Sequence, residues 1–415
     1  MESESDGDVI DLILKHDGES QGALRKEIAA RVAGVVASQR PENRSLVDAA
    51  ERVVAKDPAA AFAMDWSGAA TLSADGHTWH AGRFEVVSLG ELRARAFRYR
   101  QSQTDAKARL WVFDGEGPAT DIGALQATCG RSTLFQVASQ FNCLESPGPY
   151  VTPVARYFDD PTQGTRASIS AFPATLFRHY RAPEQDGKRF VQQTDGPQID
   201  LLAAACGRRV SQNGYFTGQR VDHPSVLGAL ENRFDAICVG VHDEVEVVLG
   251  HDWDGAVVPA APHIAQVFTS TAAGGFYGAT RHLGREVFET FSRHLLRAAY
   301  LGTLLAAGAL GKERVVLTLI GGGVFGNPIE TIWDAIQWSL EEVKPFLTRD
   351  LDVIINGRRL RILMEEGGKD AVKMIQTVVG RHHGALVTFD KLGLVEIRRS
   401  DDVRRPHRPL ESTAS

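Results

Sequence analysis

Cysteine is scarce in this 415-residue sequence: four, at Cys129, Cys143, Cys206 and Cys238, far apart and with no C-x-x-C spacing. That excludes a disulfide-stapled scaffold and a zinc framework, and is what reduced thiols in a cytosolic protein look like. Long apolar runs are lacking as well. The longest apolar-rich stretch, Leu295 to Leu310, is interrupted by Arg297 and by glycines and is too short to span a bilayer. There is no excess of positive charge. Lys and Arg number 46 against 52 Asp and Glu, giving a net charge of −6 and a pI near 6.1. No global basic field is present to recruit nucleic acid. The opening MESESDGDV is acidic and has no apolar core, so a secretory signal is not expected and a cytoplasmic location is. No internal repeat is found. What is present is 43% apolar residues, enough for the core of one large α/β domain with an extension.

The richest stretch is Val315 to Glu342, VVLTLIGGGVFGNPIETIWDAIQWSLEE. Val315 to Ile320 reads as a buried strand. Gly321, Gly322, Gly323 and Gly326 then let the backbone take positive φ and approach a ligand closely. Pro328 stands at an expected helix start, and Ile329, Ile332, Trp333, Ile336 and Leu340 recur at helical spacing. Strand, glycine loop and helix start together make an anion site, with free N–H groups and a positive dipole end, so a phosphate-bearing ligand is expected. A glycine loop serving only tight packing is the plainer alternative.

The chain up to about residue 60 reads as alanine-rich helices, with Val9, Leu12, Ile13, Leu24, Ile28, Val32, Val35 and Val36 at helical spacing. Such an extension either packs on the main domain or serves interaction. Turn signals surround Asp65, Trp66, His77, Trp79 and His80. The two histidines could ligate a metal, but surface or packing roles are commoner, and no metal site is expected. Strands follow at Phe84–Val87, Leu110–Phe113 and Thr133–Ala138, and Ala236–Val241 and Val245–Leu249 read as a strand pair. His263–Phe268 and Asp352–Ile355 are further strands, and Ala385–Ile397 is a hairpin. Long helices are expected over Glu286–Ala309 and Lys369–Val379. The Thr133 strand delivers Ser139, Gln140, Phe141, Asn142, Cys143, Leu144 and Glu145, a polar cluster of the kind open α/β sheets place at their sites. Residues 401–415 are polar and read as a disordered tail.

Three patterns compete for the glycine stretch. No Gly-Lys-Ser/Thr follows it, so it is not a P-loop. Gly321, Gly323 and Gly326 match G-x-G-x-x-G, and an NAD(P)-dependent oxidoreductase rests on that match alone. Against it, Asn327-Pro328 delays the helix, and Asn356, not an acid, ends the following strand. Gly323-Val324-Phe325-Gly326-Asn327-Pro328 resembles the second phosphate loop of macrodomains. Asp121-Ile122, the strand into Ala138 and Asn142, and the segment to Gly164 come in the order that family uses. The whole is similar to a divergent macrodomain, nearer in size to the poly(ADP-ribose) glycohydrolase type, although that type's Q-E-E element is not visible.

The resemblance implies a three-layer α/β/α fold with a mixed, mostly parallel sheet over residues 81–400 and a helical extension over 1–80. It implies ADP-ribose, free or on a modified macromolecule, as ligand and partner, with no cofactor. Asp121 and Ile122 would then hold adenine. Gln163 and Gly164 stand where the first phosphate loop would be, and Gly321, Gly322, Gly323, Val324, Phe325, Gly326 and Asn327 would cup the pyrophosphate. Asn142 would position the distal ribose, with Glu145 or Asp160 orienting water at its anomeric carbon. Each has a plainer meaning: Asp160 a helix cap, Glu145 a solvated loop carboxylate, Asn142 a turn amide, Phe325 core packing. Removal of ADP-ribose from a target is the expected activity, and a reader that binds without cleaving is the alternative.

Overall fold

The computed structural model describes residues 8–16, 21–33, 42–98, 105–115, 117, 120–207, 209–217, 222–250, 261–275, 278, 280, 282–358, 360, 365, 371–390 and 393–399. The tail over 401–415 and the positions Val35 and Val36 lie outside them. Among the described residues eleven strands form one sheet: β1 (Phe62–Met64), β2 (Ala70–Ala74), β3 (His77–Ser88), β4 (Ala108–Gly115), β5 (Thr133–Ala138), β6 (Cys238–Glu246), β7 (His263–Thr269), β8 (Arg314–Thr318), β9 (Leu351–Gly357), β10 (Ala385–Asp390) and β11 (Gly393–Arg399). Their spatial order is β1-β2-β3-β6-β7-β5-β8-β9-β4-β10-β11. From β7 to β10 all neighbours run parallel, and the flanks on either side are antiparallel.

The central strands are near-continuous apolar runs because both faces are covered. Two glutamines mark the two faces. Gln136 of β5 reaches Ala299 O and Thr303 Oγ1 of the Arg285–Leu310 helix at 3.3 and 2.9 Å. Gln266 of β7 reaches Ala167 O of the Gln163–Ser170 helix at 2.9 Å. Helices therefore lie on opposite faces, and the layered α/β/α arrangement expected from the sequence is present. Among the described residues no helix is long and apolar enough to cross a membrane.

The first helices join this core. Val9, Ile10 and Ile13 are fully buried within it, and Arg314 at the start of β8 pairs with Asp8 and Asp11 at 2.9 and 2.8 Å. The extension is not helical throughout, which corrects the expectation for residues 1–80. After the Glu42–Lys56 helix the chain forms β1, β2 and the start of β3, turning at Asp75-Gly76 with both residues at positive φ, 49° and 74°. Alternate burial of Ala70, Leu72 and Ala74 carries the period of two that makes this a strand. A second correction concerns Ala236–Leu249. It holds one strand, β6, paired with both β3 and β7, and Glu244 at φ 56° lies in a register shift where two paired strands were expected. Val245 and Val247 are buried on their own account, which is why the sequence shows two apolar runs.

Glu51, buried in the Glu42–Lys56 helix, ties this region to the next. Its carboxylate accepts the N–H groups of Val154 and Ala155, both at 2.7 Å, and the Tyr180 hydroxyl at 2.9 Å. Those N–H groups open the 3-10 helix Val154–Asp159. Glu51→Ala leaves two buried donors unpaired, and chemical unfolding is expected to show a loss of roughly 2–4 kcal/mol. An unchanged midpoint would mean that the helix is not integral to the domain.

Candidate functional site

The site begins where two strands part. β5 stays paired with β7 up to Ala138, and β8 stays paired with β9 up to Thr318. Between themselves β5 and β8 pair only over Thr133–Phe135 and Arg314–Val316. Two glutamine side chains complete the backbone groups exposed by this divergence. Gln163 accepts the Ala138 N–H at 3.1 Å and donates to Gln136 O at 3.3 Å, and Gln136 Oε1 accepts the Thr318 N–H at 3.3 Å. A cavity of about 420 Å3 opens above the gap, at the carboxyl ends of the strands.

Its lining follows the sheet order. Ser139, Gln140 and Glu145 come from the end of β5, Thr318 to Phe325 from β8, Asn356 and Arg358 from β9, and Thr120, Asp121 and Ile122 from β4. Asp160, Thr162, Gln163, Gly164 and Arg166 close it from above. Four strands at the usual spacing give it a length of roughly 14 Å.

The Leu319–Phe325 loop occupies the middle. Gly321 (φ 75°) and Gly326 (φ 66°) supply its left-handed turns, and a Cβ on Gly321 would stand 2.4 Å from Asn327 Nδ2. Gly323 is different from what the sequence suggests. It has no positive φ, and a Cβ there would meet nothing within 4 Å. Asn327 and Gly326 do not line the cavity. Asn327 staples the loop instead, donating to Ala272 O and Gly321 O at 2.9 and 3.3 Å, while Phe325 O accepts from Gly274 and Gly275 at 2.9 and 2.8 Å. The Ile329–Val343 helix starts one residue later than expected, and its first turn is absent from the lining. Anion-binding capacity therefore lies in the loop. Among the described residues the N–H groups of Gly321, Gly323 and Val324 donate to no protein acceptor.

At the β5 end, Glu145 is buried and its Oε1 has no hydrogen-bond partner in the protein. Burial pushes its carboxyl well above the usual carboxylate range, Asp160 pushes the same way, and the Arg178 guanidinium opposes them. It is not the solvated carboxylate of the plainer reading. Asp160 accepts the Thr162 N–H at 2.9 Å, a local turn just ahead of the Gln163–Ser170 helix. Gly164 packs so close that a Cβ would lie 1.8 Å from Ala138 O and 2.6 Å from Glu145 Oε2. Asn142 is not among the lining residues. Its Oδ1 accepts the Leu144 N–H and its Nδ2 donates to Gln198, both at 3.1 Å, so its amide shapes the turn below the cavity. Gln140, which does line it, keeps a buried Oε1 without a protein partner.

At the far end Asp121 caps the Ile122–Thr128 helix through the Ala124 N–H at 3.1 Å and pairs with Arg166 at 2.8 Å, its side chain fully buried. Arg358 approaches it at 3.8 Å. Sequence reasoning missed Arg166, although it lies three residues from Gln163 on the same helix and hence on the same face. Arg358 follows β9 and carried no local signal. His77 stacks on Trp79 at 5.2 Å and His80 lies 4.9 Å from His263, and the described residues hold no cluster able to bind a metal.

No protein-family model matches the chain, and no curated protein matches it. Among solved structures it is similar to the poly(ADP-ribose) glycohydrolase from Thermomonospora curvata, with 14% identity, TM-score 0.42, and coverage of 76% of this chain and 93% of that one. It is also similar to the glycohydrolase from Deinococcus radiodurans in apo form, at 13% identity and TM-score 0.39 over 71% and 93% of the two chains. The same enzyme in complex with ADP-ribose matches at 13% and 0.36 over 65% and 87%.

Two outcomes test this geometry. Gly164→Ala is expected to lower the melting temperature markedly, whereas Gly323→Ala leaves it unchanged; equal effects would contradict the packing described. The raised carboxyl of Glu145 sets a sign for pH. The folded state holds the proton longer than the unfolded chain, so this group's penalty is absent at low pH and grows as pH rises above the ordinary carboxyl value of 4.5. Glu145→Gln is therefore expected to gain stability over the wild type at neutral pH, with the difference closing on acidification in a series of thermal melts.

Proposed function

We propose that the protein binds ADP-ribose, or the ADP-ribose end of a modified macromolecule, and hydrolyses it at the anomeric carbon of the distal ribose. One observation carries this reading: the order of chemistry along the cavity. N–H donors of the glycine loop lie in the middle, two carboxyls at the β5 end, and Asp121, Asn356 and two arginines at the β4 end. A ligand with a pyrophosphate at its centre, a sugar at one end and a base at the other fits that order and length. Backbone donors suit the pyrophosphate.

Glu145, kept protonated by burial, gives its proton to the departing acceptor atom as the glycosidic bond breaks. Asp160 takes a proton from the water that adds to the anomeric carbon. This is the division of labour that two carboxyls support in glycoside hydrolysis when burial holds one of them protonated. Gln140 Oε1 accepts from a ribose hydroxyl, and Asn142 shapes the turn beneath it. Phe325, 5.9 Å from the Tyr215 ring, walls the sugar end. Asp121 and Ile122 face the base. Gly323 has open space above it, so Gly323→Val puts a side chain into the ligand's place without disturbing the loop.

The test has two arms. Calorimetry with ADP-ribose, NAD and ATP is expected to show ADP-ribose binding tightest and to lose it in Gly323→Val. Release of ADP-ribose from automodified acceptor proteins is expected to fall about 10²–10⁴-fold in Glu145→Gln and Asp160→Asn with binding kept. Tight binding without release from any linkage would make the protein a reader. Binding of NAD alone would favour an oxidoreductase.

A further inference from the structure

We infer that Tyr157, anchored by His179, is the positioning residue that holds the two carboxyls of the site in register with each other. This rests on the hydrolase reading above and adds a residue to it. Tyr157 does not line the cavity and touches no ligand position. It lies on the 3-10 helix Val154–Asp159, fully enclosed, and meets both carboxyl-bearing segments at once. Its hydroxyl oxygen accepts the Glu145 N–H at 2.7 Å, and its main-chain carbonyl accepts the Asp160 N–H at 3.2 Å. The hydroxyl is in turn 2.8 Å from His179 Nε2.

The proton assignment follows from burial. Desolvation, aided by the neighbouring Arg178 charge, pushes the His179 pKa down to about 3, so its ring is neutral. With the Glu145 N–H already donating to the Tyr157 oxygen, the Tyr157 proton points to His179 Nε2. The Tyr157 hydroxyl itself is held well above its ordinary pKa by burial, so it stays a donor. The adjacent Arg178 completes the clamp. It donates through Nε to Cys143 O at 3.2 Å, and Gln192 bridges Asn142 O and Arg178 O, both at 3.1 Å. The segment Asn142–Glu145, with Cys143 in the left-handed region at φ 61°, is thereby fixed from below at three successive points. The titratable and charged groups facing Glu145 are Asp160, Arg178, Tyr157 and Cys143.

Tyr157→Phe deletes one oxygen and keeps the ring packed edge-on against His179 at 5.7 Å. It is expected to lower kcat about 10²-fold, the effect of a small misplacement of a reacting group, with KM within about threefold. His179→Gln keeps an acceptor for the tyrosine and is expected to retain most of the activity, whereas His179→Phe behaves as Tyr157→Phe does. A residue with a merely stabilising role would shift the melting temperature and leave kcat alone. A second readout does not need turnover: infrared titration of the protonated carboxyl band, assigned to Glu145 by its loss in Glu145→Gln. In Tyr157→Phe that titration is expected to move down towards the ordinary carboxylate range, as the loosened segment admits water. Unchanged kcat, or titration curves that superimpose, would overturn the inference. A wild type inactive on every linkage would instead defeat the hydrolase reading, and the titration would still decide the role of Tyr157.

Discussion

The separation of β5 from β8 is the constraint on which the rest depends. A parallel sheet that stayed paired to its last residue would leave no crevice there. Here the ladder stops after Phe135 and Val316, and the backbone groups it abandons are buried, so each needs a partner. Gln136 and Gln163 supply them with side-chain amides, which present a donor and an acceptor much as a peptide does. The Gln163–Ser170 helix is drawn down onto the strand end, close enough that only glycine fits at Gly164. Opening the site and roofing it are thus one event. The same approach brings Asp160 and Glu145 under one roof and strips water from Glu145.

The two sides of the crevice are held by different means. On the β8 side the loop is tied to the Thr271–Gly275 segment by Asn327 and by the Phe325 carbonyl, so its free donors are fixed by contacts behind them. On the β5 side the turn is clamped from below by Arg178, Gln192 and Tyr157. Arg178 carries a buried charge whose pKa is lowered to about 10 by desolvation, and it lies over the Phe268 ring at 3.6 Å. A rigid donor loop facing a rigid carboxyl turn is what preorganised electrostatics requires.

Much of this architecture was legible in the sequence where a local rule sufficed. The apolar run into GGGVFGNP places a strand and the loop that follows it, and Asp121, Gln163 and Gly164, expected from the family resemblance, line the same cavity as that loop. Individual roles were less legible. Asn142 and Asn327 read as ligand groups because the family resemblance puts one at the distal ribose and the other in the late phosphate loop, and only the fold reveals that both amides are taken up by protein partners, local and distant. Gly323 read as a left-handed position because it sits among glycines, whereas the turns fall at Gly321 and Gly326. Arg358, Tyr157 and His179 had no local signal, since each works through partners distant in the chain. The β1–β3 hairpins were missed because β1 and β2 are short and the turns beside them were read as loop.

An eleven-strand sheet with two free ends faces the hazard of recruiting a neighbour's strand, and the ends here are closed differently. At one, β1 is three residues long, too short to template an added strand well. At the other, β11 is full length, bears Glu396, Arg398 and Arg399, and is met by the Gln21–Ala33 helix, with Arg399 donating to His16 O at 2.7 Å. The first helices therefore guard a seam as well as filling the core. A chain trimmed of them would present that edge to other copies of itself and at the same time bare the core that Val9, Ile13 and Ile28 cover, so one cut would open two routes to self-association.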